Sequence, residues 1–337
     1  MVIHIIRSWN SEKKELYKKI NEIIYALLTF FFGIYYPFIL LYYGDNFSGI
    51  LFPSATSDFI FFGDLFIVGG IFTIFLWALS AKLRVMKNPT LKKTTNNYQL
   101  FCEEFLNDYE NCSTKNKIKR KCYHTLPFAV VGTIILVFYN FRSFLGTAWF
   151  SYAAIFIVIL GIDFAFTFLI GDLVRLLGFS WMPPNASKLF RAGMTDQELD
   201  SFTSTSVMVF GFGPFIFAPF PIFIIILLVT AVADACASIS GLLAGNNKHN
   251  FPKKSDKSLE GYIGGTIATF LCAIIGVLFS NLFGLSNWLW NKILFVALIS
   301  SITFLLIDLI TSKIKLQDNY VNPIAIGIIL ILTISML

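Results

Sequence analysis

Ala231–Gly265 reads AVADACASISGLLAGNNKHNFPKKSDKSLEGYIGG. Asp234 is the single charged residue in the run from Gly211 to Gly245, and that run empties into a loop carrying Lys248, Lys253, Lys254 and Lys257. A carboxylate at the centre of a membrane helix costs roughly 2.5 to 3.5 kcal/mol on insertion scales, so its retention marks a candidate functional residue. In helical steps Ser238, Gly241 and Gly245 follow on the same face as the acid. Such a face of small residues admits a neighbouring helix, or a ligand, close to the backbone. The lysine loop and the turn Lys257-Ser258-Leu259-Glu260-Gly261 add cations and a Gly-bounded bend suited to phosphates, with Asp234 suited to a metal ion.

Outward from this stretch the chain is 56% hydrophobic and 14% charged, with a mean hydropathy of +0.71. Its apolar runs are longer than a soluble core helix needs and match the roughly 20 residues of a membrane span. They fall at Ile23–Tyr43, Phe59–Ala81, Thr125–Phe141, Thr147–Leu169, Phe202–Phe217, Phe220–Leu243, Tyr262–Leu282, Trp290–Ile310 and Asn322–Leu337. The expected fold is therefore an all-α polytopic membrane bundle of about nine transmembrane helices. The fifth and last runs are short, and Pro214, Pro219 and Pro221 blur the boundary between the fifth and sixth. The ten-residue polar/apolar alternation of a transmembrane barrel is absent.

With the N-terminus cytosolic, all but Arg142 and Lys292 of the 26 basic residues fall on the inner side, which is what retention of positive charge during insertion demands. The net charge of +6 then describes a face against anionic lipid and not a nucleic-acid surface. The first 21 residues are polar and charged, with Trp9 among them. They fit either a short interfacial helix or a solvated tail, and no cleavable signal is evident. Five cysteines without a CxxC pair and three scattered histidines argue for reduced thiols and against a zinc site. The basic and acidic segment Lys82–Lys121 has too few apolar residues for a core of its own and reads as one or two surface helices.

Other polar groups gather on the same side. Arg120, Lys121 and His124 share a face at the head of the third span; positive-inside flanking explains the cations but not the histidine. Asp172 and Arg175 stand three residues apart at the end of the fourth, where a structural ion pair and a site are both open readings. Asp308 lies deep in the eighth span, and Asp318-Asn319 forms either a plain turn or a second acid level with the lysine loop. Acids for a metal and cations for a transferring group, meeting at one membrane boundary, match phosphoryl transfer to a lipid hydroxyl.

VADACASISGLLAG followed by KKSDKSLEGYIGG resembles the nucleotide-binding signature of the polyprenol kinase family, which includes dolichol kinases, phytol kinases and CTP-dependent diacylglycerol kinases. RKCYH at Arg120–His124 is similar to that family's RKxxH, GDLVRL at Gly171–Leu176 to its DLxRL, Arg191 with Glu198 to its polar loop, and DNYVNP at Asp318–Pro323 to its closing DNxxxP. The resemblance covers about 119–337, setting a kinase-like membrane domain after an N-terminal region, 1–118, with two spans and a cytosolic loop. It implies CTP as phosphate donor, a divalent metal (Mg2+ or Ca2+) and a lipid alcohol as acceptor. Carried over by position, Asp234 is a metal or catalytic acid, Lys248, Lys257 and Ser258 touch phosphates, and Glu260 orients their loop. Arg120, Lys121 and His124 complete the pocket, with Ser238, Gly241 and Gly261 lining the nucleotide site, and Asp318 with Asn319 closes it, Asp318 as a second metal ligand. The family's Gly before the acid is here Ala233, and its basic residues after Gly241 are Leu242, Leu243, Asn246 and Asn247.

Cytidylyl transfer to phosphatidic acid is the neighbouring chemistry, but its KR, KD and HGG closing signature is absent; so is the DGxxAR run of CDP-alcohol transferases. A transporter would line a path with Asp64, Asp234 and Asp308 and set cations on both faces. The expected setting is the endoplasmic reticulum of a eukaryote or the plasma membrane of a bacterium, with the active site on the cytosolic side.

Overall fold

The computed structural model describes residues 9, 15–44, 55–94, 96–111, 113–244 and 257–334. Its helices are α1 (Leu16–Gly44), α2 (Ala55–Lys87), α3 (Tyr98–Glu110), α4 (Thr114–Cys122), α5 (Leu126–Asn140), the single turn α6 (Arg142–Leu145), α7 (Trp149–Leu177), α8 (Pro184–Gly193), α9 (Ser204–Phe212), α10 (Phe220–Leu228), α11 (Asp234–Ala244), α12 (Leu259–Leu282), α13 (Trp290–Ile314) and α14 (Asp318–Ile334). No strand occurs among the described residues. Phe61–Lys87, Arg120–Asn140, Arg142–Leu177, Phe220–Ala244, Leu259–Leu282 and Trp290–Ile314 are long and apolar enough to cross a bilayer, while Val207–Phe217 and Asp318–Ile334 are apolar but shorter. With α1, this is a polytopic membrane helix bundle.

The short fifth run has a physical cause. α9 tightens after Phe212 into the 3-10 turn Gly213–Phe217, which has Pro214 among its first residues, and Pro219 and Pro221 then open α10. Nine α and five 3-10 residues rise only about 24 Å, less than a hydrocarbon core of about 30 Å.

α10 is the axis of the bundle. All nine of its residues are buried, as expected of a helix apolar on every side, and it packs against α12 and α14. It continues through a π turn, Val229–Ala233, into Asp234, the first residue of α11. A π turn adds a residue to the helical ladder and is frequent at functional sites. α11 then crosses α12 closely: a Cβ on Gly261 would stand 3.1 Å from the Ala237 carbonyl oxygen, and one on Gly265 2.8 Å from the Ala237 Cβ. The small residues beside Asp234 therefore receive a neighbouring helix.

A second, smaller core caps one end. Phe101 and Phe105 of α3 pack with Phe179, Met182, Ala186, Phe190 and Met194 around α8, so the surface helices expected in 82–121 borrow their core from the loop after α7. α1 lies against α2, α7 and α9, where Tyr25 meets the rings of Phe202 and Phe210 at 4.6 and 5.9 Å.

Candidate functional site

The end of α4 with the turn after it, the start of α11, the starts of α12 and α14 and the end of α13 meet at one end of the bundle. Two oxygen-rich cavities open there. The larger, about 490 Å³, is bordered by Lys117, Arg120, Lys121, Asp234, Ser238, Gly241, Lys257, Ser258, Gly261 and Asp308. The smaller, about 280 Å³, adds His124, Asp196, Lys315, Asp318 and Asn319. Tyr109, Arg120, Lys121 and Lys257 border both, so the two are lobes of one depression.

Lys121 Nζ lies 3.2 Å from Asp234 Oδ2. Lys257 Nζ bridges two acids from different helices, bonding Asp308 Oδ1 and reaching Asp318 Oδ2 at 2.7 Å. Burial pulls the pKa of Lys257 down, but the carboxylates of Asp318 and Asp308 outweigh this and hold it above the ordinary lysine value. Arg120 stacks over the Tyr109 ring, 5.5 Å from its centroid, and donates from Nη1 to the Met194 carbonyl at 3.0 Å. Opposite charges thus alternate across the depression, with three acids held by two lysines.

Asp234, Arg120, Lys121, Ser238, Gly241, Lys257, Ser258 and Gly261 border the larger lobe, and His124, Asp318 and Asn319 line the smaller. Ser258 also works locally, its Oγ capping α12 by accepting from Gly261 N at 3.2 Å. Glu260 sits in the first turn of α12 with Oε2 buried and without a hydrogen-bond partner among the described residues. Lys248, with the rest of 245–256, lies outside the described residues.

Asp172 and Arg175 border neither lobe, and both side chains are fully buried. Asp172 Oδ1 accepts from Arg175 at 2.8 Å, and Oδ2 accepts from the Thr203 amide and hydroxyl at 2.9 and 2.8 Å. Arg175 further donates to the carbonyls of Leu199 and Ser201. This network ties the loop before α9 to α7. Glu198 does similar work, accepting from the amides of Thr195 and Ser204. Arg191 pairs with Glu104 and Asp108, joining α8 to α3.

Asp308 is the site residue that the motifs passed over. It is 1% exposed, and the signal available was the one that singled out Asp234, an acid within an apolar span. Its Oδ2, like Asn319 Oδ1, is buried without a hydrogen-bond partner among the described residues. Among the described residues no three acids, histidines or cysteines lie close enough together to hold a metal by themselves.

Among curated proteins and among solved structures, none matches this chain. Residues 105–317, a stretch that runs from α3 to the turn before α14 and includes every described acid and lysine of the depression except Asp318, match the cytidylyltransferase family, whose members include CDP-diacylglycerol synthases and polyprenol-kinase-like proteins. The chain belongs to the cytidylyltransferase family.

Proposed function

We propose that this protein is a CTP-dependent lipid kinase that transfers the γ-phosphate of CTP to the hydroxyl of a lipid alcohol, a polyprenol such as dolichol or a diacylglycerol, giving the lipid phosphate and CDP. One observation carries the reading: Lys121–Asp234 and Asp308–Lys257–Asp318, drawn from four separate helices and the start of a fifth, border one depression at the end of a membrane bundle. Membership in a CTP-using family supports the donor, and the DNYVNP run at Asp318–Pro323 together with the absence of a KR, KD and HGG signature supports the kinase.

The lipid oxygen bonds to the γ-phosphorus as the bridge to the β-phosphate breaks, CDP leaves, and the hydroxyl proton passes to a base. Asp234 and His124 are the bases beside the lobes. Arg120, Lys117, Lys121 and Lys257 offset the charge on the phosphates. One or two of the carboxylates Asp234, Asp308 and Asp318 would hold a divalent cation together with phosphate oxygens, since Mg2+ is commonly bound by one or two carboxylates plus the substrate. When bound, that ion supplies charge neutralisation along the triphosphate.

The test is incubation of membranes holding the protein with γ-labelled CTP, ATP, GTP or UTP and a panel of lipid alcohols. Label entering a lipid only from CTP is the expected result. Transfer only from ATP overturns the donor assignment. Family membership is equally compatible with a second reading, transfer of the cytidylyl group to an acidic lipid; incorporation from α-labelled CTP with no γ-label would establish that instead.

A further inference from the structure

α1 precedes the residues that match the family, 105–317, and the proposed chemistry gives it no part. Yet one side chain on it reaches across nearly the whole sequence into the turn between α13 and α14. Asn21 Nδ2 donates to the Lys315 carbonyl at 3.2 Å, and Asn21 Oδ1 accepts from the Gln317 amide at 3.3 Å and from the Tyr320 hydroxyl at 2.8 Å. Both polar atoms of the amide are thereby spent on the two flanks of Asp318.

The turn it grips needs holding. α13 ends at Lys315 with φ +57°, the left-handed conformation that glycine usually supplies at a helix C-terminus and that a lysine keeps only where its surroundings fix it. The Lys315 and Leu316 amides fold back onto the Thr311 carbonyl, so the chain reverses within three residues of Asp318. A second group on α1 braces the same end, the Lys315 ammonium lying 5.0 Å from the centroid of the Tyr17 ring. Lys18, one residue on, pairs instead with Asp200 in the loop before α9, at 3.1 Å.

We infer that Asn21 is a positioning residue: its amide locks the Lys315–Tyr320 turn so that Asp318 and Asn319 face Lys257 and the smaller lobe, making the N-terminal helix part of the site. Asp318 then meets Lys257 without having to order its own turn on each cycle. The link from Asp318 to chemistry rests on the lipid-kinase reading; the clamp itself does not.

The test compares the full-length protein with Asn21→Leu, which loses all three bonds, Asn21→Asp, which keeps the two acceptor bonds, and Lys18→Ala, which loosens α1 elsewhere. Hydrogen exchange in detergent or nanodiscs is read on peptides covering 315–320 and on the interior of α12 as a folding control. Asn21→Leu is expected to speed exchange at 316–320 about tenfold, the loss of one to two net hydrogen bonds, with α12 unchanged. Asn21→Asp falls between, and Lys18→Ala matches the wild type. Equal exchange in Asn21→Leu and wild type overturns the clamp, as does equal loosening by Lys18→Ala. Where CTP-dependent transfer is measurable, Asn21→Leu should raise the divalent-cation concentration needed for half-maximal rate more than it lowers the rate at saturating metal, and Asn21→Asp should restore most of it. A uniform fall in rate with no change in metal requirement makes Asn21 merely structural. Exchange that rises as expected in a protein lacking any lipid-kinase activity leaves the clamp standing and removes the kinase reading alone.

Discussion

Asp172 and Asp308 are both buried carboxylates paired with a cation, and they differ in what is left over. Asp172 has both oxygens engaged by Arg175 and Thr203, whereas Asp308 spends Oδ1 on Lys257 and keeps Oδ2 without a partner among the described residues. A saturated pair in the interior holds structure, since removing one member strands the other charge at a cost of about 3 to 5 kcal/mol. Asp172→Ala should therefore lower the thermal midpoint sharply, in proportion to lost folded protein and not to lost turnover per folded molecule. Asp234→Asn and Asp308→Asn should do the reverse. Each keeps the side-chain shape, leaves the melt nearly unchanged and cuts transfer by about 100-fold or more, as loss of one preorganised charge does. Wild-type turnover in Asp234→Asn would remove that residue from its proposed role.

The element on which the site turns is the crossing of α11 and α12. The face that carries Asp234 also carries the small residues that α12 packs against, so the distance between the Asp234 side and the Lys257–Ser258 side of the larger lobe is set by Gly261 and Gly265. Gly265 has no room for a side chain, with the Ala237 Cβ 2.8 Å and the Phe304 ring 2.6 Å from where its own Cβ would lie. Gly265→Val is expected to destabilise by about 1 to 3 kcal/mol through overpacking and to weaken CTP binding beyond what the lost stability explains. The check is a thermal melt paired with nucleotide titration at a temperature where the variant remains folded. Gly132, around which a Cβ would meet nothing within 4 Å, supplies the control.

At the scale of the molecule the proposal requires one sidedness. Arg142 and Lys292 sit at the ends of helices opposite the depression, while Lys188 and Lys315 lie on its side. Single cysteines introduced at 188 and 292 in a cysteine-free background should react with a membrane-impermeant thiol reagent from opposite faces of sealed vesicles, position 188 from the cytosolic one. Labelling of both from the same face would break the arrangement of spans and the site with it.

From the sequence alone came the membrane setting, the helical class, the position of most spans and most of the residues that border the depression, because insertion into lipid leaves apolar length, charge placement and intramembrane acids legible residue by residue. It also marked Asp234 with its small-residue face, which the structure uses to seat α12. Which acids share a lysine was decided only by the tertiary structure. Asp308 and Asp318 are ten positions apart across a left-handed turn, and Lys257 comes from another helix, so their meeting depends on how α12, α13 and α14 pack and on the bend at Lys315. The fold likewise settled the geometry of Asp172 and Arg175, since the Thr203, Leu199 and Ser201 groups that saturate them arrive from a loop no local spacing reveals. The grip of Asn21 on the far end of the chain belongs there too: a hydrogen bond across almost 300 residues leaves no mark in local periodicity or composition, because only the packing of α1 brings its two ends together.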